Sequence, residues 1–399
     1  MKPLEKLLIL DLTHMLSGPY ATMLLADMGA RTIKIEPPGK GEITRTALSE
    51  NSDYSRCGLG PYFLTLNRNK RSIAIDLKSQ DGLDIFYGLV KGADIVFDNF
   101  SAGVTRRLKI DHDTLASINP KIITCTVTGF GETGPEIDRP AFDQVVQGMG
   151  GGMSITGPPG GPPLRAGIPI GDLAGGMFGA LGVLAAVCAR SETGRGQHVD
   201  VSMLDCQISL LNYMATMYLL SGKDPEPLGN GHFVHIPYNT FRTKTDWIII
   251  AVIGDAFWKN LLEVIKSPVL RNEKYLTQPG RFEDREIINA VVEETLMTND
   301  AEYWLEKLRE KRIPCAPVNK FSQALSDPQI LARNMVITVK DSDGIEAKMP
   351  GNPIKLSENH SEEFTFPPQL GQHTDEILME MLGWSRDRLS ELRNRKVIG

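Results

Sequence analysis

The feature that most restricts what this chain can fold into is the alternation of strand-length apolar runs with helical stretches before residue 130. Leu7-Leu-Ile-Leu-Asp-Leu12 has the length and apolar content of a strand, Thr13–Pro19 turns the chain, and Tyr20–Met28 has helical spacing closed by Gly29. Arg31-Thr-Ile-Lys-Ile-Glu36 is the next strand, ended by Pro37-Pro-Gly39. Two strands joined through a helix in so short a span run parallel, with a right-handed crossover. Further strands are expected at Ser72–Asp76, Ala93–Phe97 and Lys121–Val127, with helices at Ser79–Val90 and Asp113–Ile118. The pattern predicts an α/β fold with a Rossmann-like doubly wound sheet, whose ligands lie beyond the carboxyl ends of the strands. His14, Glu36, Asn99 and Gly129 stand at such ends. The turn after the first strand is not GxGxxG, so the dinucleotide fingerprint is missing.

From Gly129 the texture changes. Phe130–Pro163 is rich in Gly and Pro, longer than an ordinary connection, and reads either as a substrate mouth or as a plain linker. It leads to Gly171-Asp172 and the uncharged run Leu173–Ala189, with glycines at 175, 179 and 182 baring one helix face. Asp172 stands where an N-cap is expected, and a carboxylate there is stabilised by the helix dipole. By length alone this run reaches the lower limit for a membrane span. Its glycines and its solitary position favour a buried core helix. A long helix is expected over Met203–Leu220, and the polar, Pro/Gly-rich stretch Lys223–Pro237 marks a boundary. Residues 225–325 read as a smaller α+β domain inserted in the first. The large domain thus takes 1–224, and 326–399 forms a C-terminal segment returning to it.

At 399 residues and a net charge of -6, the chain has the size of two domains and no dense basic run for nucleic acid. Five scattered cysteines without a CxxC pair give neither a disulfide framework nor a zinc pattern, and no secretory leader is evident at the N-terminus. These features predict a cytoplasmic protein, away from membranes and without a metal site. HExxH, GxSxG and P-loop motifs are absent. What remains is a carboxylate at a helix start, a glycine-rich mouth, and basic residues such as Lys78, Arg106 and Arg107 in the loops of the sheet.

With these residues in place, the chain resembles the family III CoA-transferases, the group that includes formyl-CoA transferase and carnitine CoA-transferase. The resemblance runs through His14-Met-Leu-Ser-Gly-Pro19, Leu25–Pro37, Gly41-Glu-Ile-Thr-Arg45, Asn69-Lys-Arg-Ser72, Asp98-Asn-Phe100, Arg139-Pro-Ala-Phe-Asp143, Gly171-Asp172, Thr193–Gln197 and Leu370–Thr374. It implies that Asp172 is the nucleophile, passing through an aspartyl–acyl anhydride and an aspartyl-CoA thioester, and that Asp143 is a second active-site carboxylate, catalytic or positioning. It places CoA contacts on Met15, Leu16, Ser17, Ile75, Lys78, Asn99, Phe100, Val104 and Arg107. Three basic contacts of formyl-CoA transferase fall here on Pro37, Thr128 and Pro140. The implied partners are an acyl-CoA and small carboxylic acids, with coenzyme A as a co-substrate and no permanently bound cofactor.

The same resemblance implies an interlocked homodimer in which the Pro237-Tyr238 region of one chain completes the mouth around Asp172 of the other. Two alternatives share the fold. An alpha-methylacyl-CoA racemase would need a histidine base where this chain has Ile137-Asp-Arg-Pro-Ala-Phe-Asp143, and no histidine lies between His112 and His198. A non-catalytic acyl-CoA-binding protein would have no use for Asp172.

Overall fold

Residues along the strand runs alternate between two apolar faces, and that period builds a sheet covered on both sides. The computed structural model describes residues 2–358 and 362–399. Strands β1 (Leu8–Asp11), β2 (Arg31–Glu36), β3 (Lys70–Ala74), β4 (Ile95–Asp98), β5 (Ile123–Thr128) and β6 (His198–Ser202) form one sheet in the order β3-β2-β1-β4-β5-β6. Every neighbouring pair is parallel. This is the doubly wound arrangement expected from the alternation, with its two halves meeting between β1 and β4.

One face carries Leu8, Leu10, Ile33, Ile73 and Val96 in a common core. Helices α1 (Ser17–Asp27), α2 (Pro61–Leu66), α3 (Gln80–Val90), α4 (Val104–Arg107) and α5 (His112–Ile118) follow the strands in order. Leu83, Phe86 and Leu89 of α3 and Leu115 of α5 complete that first core, and the C-terminal Ile377, Leu389 and Ile398 return to it. The opposite face carries Ile9, Ile95, Phe97, Cys125 and Val127 against Ala21 and Leu25 of α1.

Beyond β5 come α6 (Asp143–Met149), α7 (Ile170–Thr193), α8 (Met203–Leu211) and α9 (Tyr213–Ser221). Two of these differ from expectation. The short α6 forms inside the Gly/Pro-rich segment, where its Val146 side chain is fully buried. The single helix expected over Met203–Leu220 is broken at Asn212, whose φ of 50° and ψ of -123° leave helical geometry. Asn is among the residues that enter positive φ most readily, which makes it a natural break point.

By backbone contacts the chain divides into two compact units. The first comprises Met1–Gly152, Arg165–Gly222 and Gln329–Gly399; the second comprises Met153–Leu164 and Lys223–Pro328. In the second unit, β7 (Tyr238–Arg242), β8 (Trp247–Ala251) and β9 (Cys315–Pro317) form an antiparallel sheet. Helices α10 (Asp255–Ile265), α11 (Gln278–Glu283), α12 (Arg285–Leu296) and α13 (Ala301–Glu310) accompany it, around a core that includes Trp258, Leu261, Ile288 and Trp304. After α14 (Phe321–Ala324) and α15 (Pro328–Ala332), the hairpin β10 (Val336–Lys340) and β11 (Glu346–Pro350) precedes α16 (Thr374–Leu382) and α17 (Arg386–Asn394).

Among the described residues, α7 is the one helix long and apolar enough to cross a membrane. Its stripe of Ala174, Gly175, Gly176, Gly179, Val183 and Ala186 is buried within the first unit. The expected core helix is therefore core on this side, while Met177 and Leu181 on the other side are exposed. The approach to α1 is very close. A Cβ added at Gly176 would stand 2.5 Å from the Ser17 carbonyl oxygen, and one at Gly175 would stand 2.9 Å from Ser17 Oγ. Gly176→Ala adds about 1 kcal/mol of helix propensity but forces backbone apart, an overpacking cost of about 1–3 kcal/mol or more. The expected net result is lower stability, read as a reduced chemical-denaturation midpoint; an unchanged or raised midpoint would contradict the contact.

Candidate active site

The loops after β1 and β4 diverge at the point where the sheet reverses its winding, which opens a crevice there. A reciprocal pair of hydrogen bonds spans it: the His14 N–H donates to Asn99 Oδ1 and Asn99 Nδ2 donates to the His14 carbonyl, both at 2.7 Å. The His14 ring stands 5.3 Å from that of Phe100. Burial, reinforced by Lys34, holds His14 below the usual imidazole range, so the ring is neutral at physiological pH. Met15 takes a left-handed backbone with φ of 62°, and its N–H donates to Glu42 Oε1 at 2.9 Å. The loop carrying Met15, Leu16 and Ser17 is thereby tied to that of Asn99 and Phe100.

The remaining expected CoA contacts are more dispersed. Ile75 is 1% exposed, its side chain belongs to the core, and its N–H donates to the Glu36 carbonyl. Lys78 lies exposed in the loop after β3, with its N–H held by Asp76. Val104 and Arg107 sit in the single-turn α4 after β4, and the Arg107 side chain is exposed.

Asp172 is not the N-cap that its sequence position suggests. α7 begins at Ile170 after Pro169, so Asp172 is the third helical residue. The cap comes from α6 instead: Asp143 Oδ1 accepts from the Gly171 N–H at 2.8 Å and from the Asp172 N–H at 3.4 Å. Pro169 cannot cap by side chain, and the helix start recruits a remote carboxylate to satisfy its N–H groups. The consequence for ionisation is the reverse of a simple dipole argument. Burial, together with the neighbouring Asp143 charge, pushes the Asp172 carboxyl up from 3.8 to about 6. No hydrogen bond or ion pair reaches its carboxylate among the described residues, so the group is half-buried and chemically unencumbered.

Gln147 is the residue sequence reasoning missed. It lies four residues after Asp143 on α6, and its Nε2 donates to Asp143 Oδ2 at 2.7 Å. The i,i+4 spacing signals such a pair only once a helix is recognised inside a segment that reads as loop. Glu42, which holds Met15, was visible only as part of a matching motif with no role attached.

A separate polar cavity of about 520 Å³ lies along β4–β6, lined by Asp98, His112, Thr124, Glu132, His198 and Asp200, among others. His198 bonds both Thr124 and Glu132 there, and burial pushes Asp98 up to about 7. No group of three or more His, Cys, Asp or Glu among the described residues could hold a metal ion.

Residues 4–374 match the family described as CoA-transferase family III. An acetyl-CoA:oxalate CoA-transferase from Acetobacter aceti is 39% identical over 357 residues, covering 89% of this chain and 89% of that protein. A succinyl-CoA:mesaconate CoA-transferase from Haloarcula marismortui is 38% identical over 386 residues, covering 95% and 96% respectively. Among solved structures, a CAIB/BAIF family protein from Brucella suis matches with a TM-score of 0.84 and 33% identity, over 95% of this chain and 99% of that one. The fold and these likenesses define a transferase of the α/β type. The chain belongs to CoA-transferase family III, and it moves CoA from an acyl-CoA thioester to a free carboxylic acid, with CoA as co-substrate.

The raised Asp172 pKa has a signed consequence for stability. A carboxyl whose folded pKa exceeds its unfolded value favours folding in its protonated form, and that contribution is lost as pH rises from about 4 through 6. After allowance for solvent screening, ionised Asp172 destabilises the fold by about 1–2 kcal/mol. Asp172→Asn should therefore be more stable than the parent at pH 7.5, with the difference shrinking toward pH 4.5. Paired denaturation curves at the two pH values check this; a difference independent of pH would contradict it.

Proposed function

We propose that Asp172 is the covalent nucleophile of this transferase and that the acceptor is a small dicarboxylic acid. A carboxylate oxygen of Asp172 attacks the thioester carbonyl carbon, the C–S bond breaks, and CoA leaves as thiolate, with the acyl group held on Asp172 as a mixed anhydride. The thiolate then attacks the aspartyl carbonyl, releasing the donor carboxylate and leaving an aspartyl-CoA thioester. The acceptor carboxylate attacks that thioester and expels the thiolate, giving an acceptor–aspartyl anhydride, and the thiolate then attacks the acceptor carbonyl, forming the new acyl-CoA and freeing Asp172. Each step exchanges one carboxylate or thiolate for another, so the cycle needs no external base. The observation that carries this reading is a half-buried carboxylate without a partner, held at the start of α7 and ionising near pH 6.

Ser17 touches α7 at Gly175 and Gly176, three and four residues after Asp172 and on its helix face. That contact supports placing CoA bound at Met15–Ser17 within reach of the nucleophile. The start of α1, which has no side-chain cap, supplies the N–H donors we assign to the tetrahedral oxyanion. Lys78 and Arg107, both exposed, take the CoA phosphates, and Asp143 acts as a positioning residue. The dicarboxylate acceptor is supported by the two curated relatives, whose names specify oxalate and mesaconate. No cofactor stays bound through the cycle, and the five free cysteines fit a reducing cytoplasm.

The test is acyl exchange. Wild-type protein incubated with acetyl- or succinyl-CoA and a panel of mono- and dicarboxylic acids should form new acyl-CoA with dicarboxylates preferred. Hydroxylamine during turnover should convert Asp172 to its hydroxamate, located by peptide mass. Asp172→Ala should lose at least about a thousandfold in kcat; retention of full activity would sink the nucleophile, and a preference for monocarboxylates would sink the acceptor class.

We further propose that the working form is an interlocked homodimer. Two observations within the first unit support it. No residue of α9 is buried, and its Leu219 and Leu220 are 79% and 85% exposed. On α7, Met177 and Leu181 lie four residues apart on the outer face and are exposed. An apolar surface of this kind marks an association site. Sedimentation at low micromolar concentration should give twice the chain mass of 44.0 kDa; a folded, active monomer would overturn the proposal.

A further inference from the structure

A buried side-chain amide is held in one orientation when both its ends are bonded, because a flip would set donor against donor. Gln147 is such a group, at 3% exposure. Its Nε2 donates to Asp143 Oδ2 at 2.7 Å, and its Oε1 accepts from the Ala166 N–H at 2.9 Å. Asp143 uses its other oxygen on the Gly171 and Asp172 N–H groups. A continuous path thus runs from the segment entering α7, through Gln147 and Asp143, to the backbone of Asp172. Packing closes the same cradle, since a Cβ at Gly171 would meet Val146 Cγ2 at 2.7 Å and Asp143 Oδ1 at 3.0 Å. Between Ala166 and Gly171 the lead-in has little else to define it. Gly167 faces open space and Ile168 is exposed.

We infer that Gln147 is a positioning residue for transfer: its amide orients the Asp143 carboxylate and anchors the lead-in to α7, so that Asp172 is presented to the thioester in one geometry. The inference rests on the reading of Asp172 as nucleophile. It assigns the amide a role that neither a carboxylate nor a thioether of similar size can fill. An ionised glutamate offers no donor to Asp143 and adds a like charge beside it, whereas a protonated glutamate donates as the amide does. A methionine keeps the volume and loses both bonds at every pH.

The ionisable groups facing this cradle are few. α6 contributes Asp143 alone and α7 contributes Asp172, the lead-in carries Arg165, whose Nη1 donates to the Ala166 carbonyl at 3.2 Å, and α8, which packs on both helices, carries Asp205 and Cys206. Burial and the Asp143 charge account for the upward shift of Asp172.

The experiment measures kcat and the acyl-CoA KM for wild type, Gln147→Glu and Gln147→Met from pH 6 to 8, with hydroxylamine labelling of the wild type alongside. Misplacing a reacting group by about an ångström costs on the order of a hundredfold. Gln147→Met should therefore lose about 10- to 100-fold in kcat at all pH values, with KM within about twofold. Gln147→Glu should match that loss at pH 8 and recover at least about fivefold, as a ratio to wild type, by pH 6 as its carboxyl protonates. A flat ratio for Gln147→Glu, an unchanged kcat for Gln147→Met, or a change confined to KM would each overturn the inference. If Gln147→Glu does not fold at pH 8, its circular dichroism shows it, and Gln147→Met still decides through the split between kcat and KM. Wild-type protein that is active but unlabelled at Asp172 refutes the nucleophile reading instead, so the two failures are told apart.

Discussion

The close approach of α7 to α1 through Gly175 and Gly176, and to the sheet through Gly179, is the constraint on which the site depends. With side chains at these positions the helices would stand at ordinary packing distance, 8–10 Å between axes. Bare of Cβ atoms, α7 instead meets Ser17 at Gly175 and Gly176, Val127 of β5 at Gly175, and Phe97 of β4 at Gly179. One helix face thereby takes its register from the start of α1 and from two strands of the sheet. Asp172 lies a single turn before Gly175 and Gly176, so its distance from the β1 loop is set by backbone contact. The contact of Gly176 with the Ser17 carbonyl is backbone on both sides, so no rotamer change can relax it.

A second constraint lies beneath the β1 loop. Asp11, Lys34, Lys70, Glu36, Glu42 and Arg45 are all buried. Burial alone would raise Asp11, but Lys70 and Lys34 outweigh it and hold the carboxyl well below its usual range. Lys70 is pulled down to about 8 by its own burial, with Asp11 opposing. Lys70 bonds Asp11, Thr22, Asn67 and the Pro19 carbonyl, and Lys34 donates to the Thr13 carbonyl at 2.8 Å. Arg45 meets Glu36 through two parallel bonds, and Glu42 in turn holds the Met15 N–H. Buried pairs of this sort add little net stability but cost about 3–5 kcal/mol when one partner is lost. Their effect here is geometric: they hold Met15 in a left-handed backbone that its side chain disfavours, with the crevice open above it.

The sheet was legible because its signal is periodic. Each strand read from an apolar run is present, and the β3-β2-β1-β4-β5-β6 order is the doubly wound one that alternation implies. Where sequence reasoning failed, the cause was local geometry that composition does not encode. Asn212 breaks an apolar run that reads as one helix, because a single residue at positive φ ends a helix without altering hydrophobic spacing. The α6 segment reads as loop because glycines and prolines surround it, although Val146 anchors it to the core. Asp172 was found by its position before an apolar helix, yet the cap it was expected to provide comes from Asp143, distant in sequence. Contacts between segments that are far apart in the chain leave no spacing to read, and the i,i+4 pairing of Gln147 with Asp143 is legible only once α6 is recognised as a helix.

The displaced cap bears directly on the chemistry of the proposed cycle. Had Asp172 been the cap, its oxygens would have accepted N–H bonds and its basicity would have fallen, since bonds to the charged form stabilise it. Because Asp143 takes those bonds, burial, together with the Asp143 charge, pushes Asp172 up to about 6. It is then ionised at neutral pH and more basic than an unperturbed carboxylate, whose pKa is about 4. Greater basicity makes it the better nucleophile toward the thioester. In the mixed anhydride the same difference acts in the opposite sense: the substrate carboxylate, being the weaker base, is the better leaving group. Thiolate attack at the aspartyl carbonyl, which expels the substrate acid, is therefore favoured electronically over attack at the acyl carbonyl, which would expel Asp172 and reverse the step. Burial and one neighbouring carboxylate thus favour the aspartyl-CoA thioester in both anhydrides, driving release of the donor acid and opposing the final step, in which thiolate attack at the acceptor carbonyl must expel Asp172.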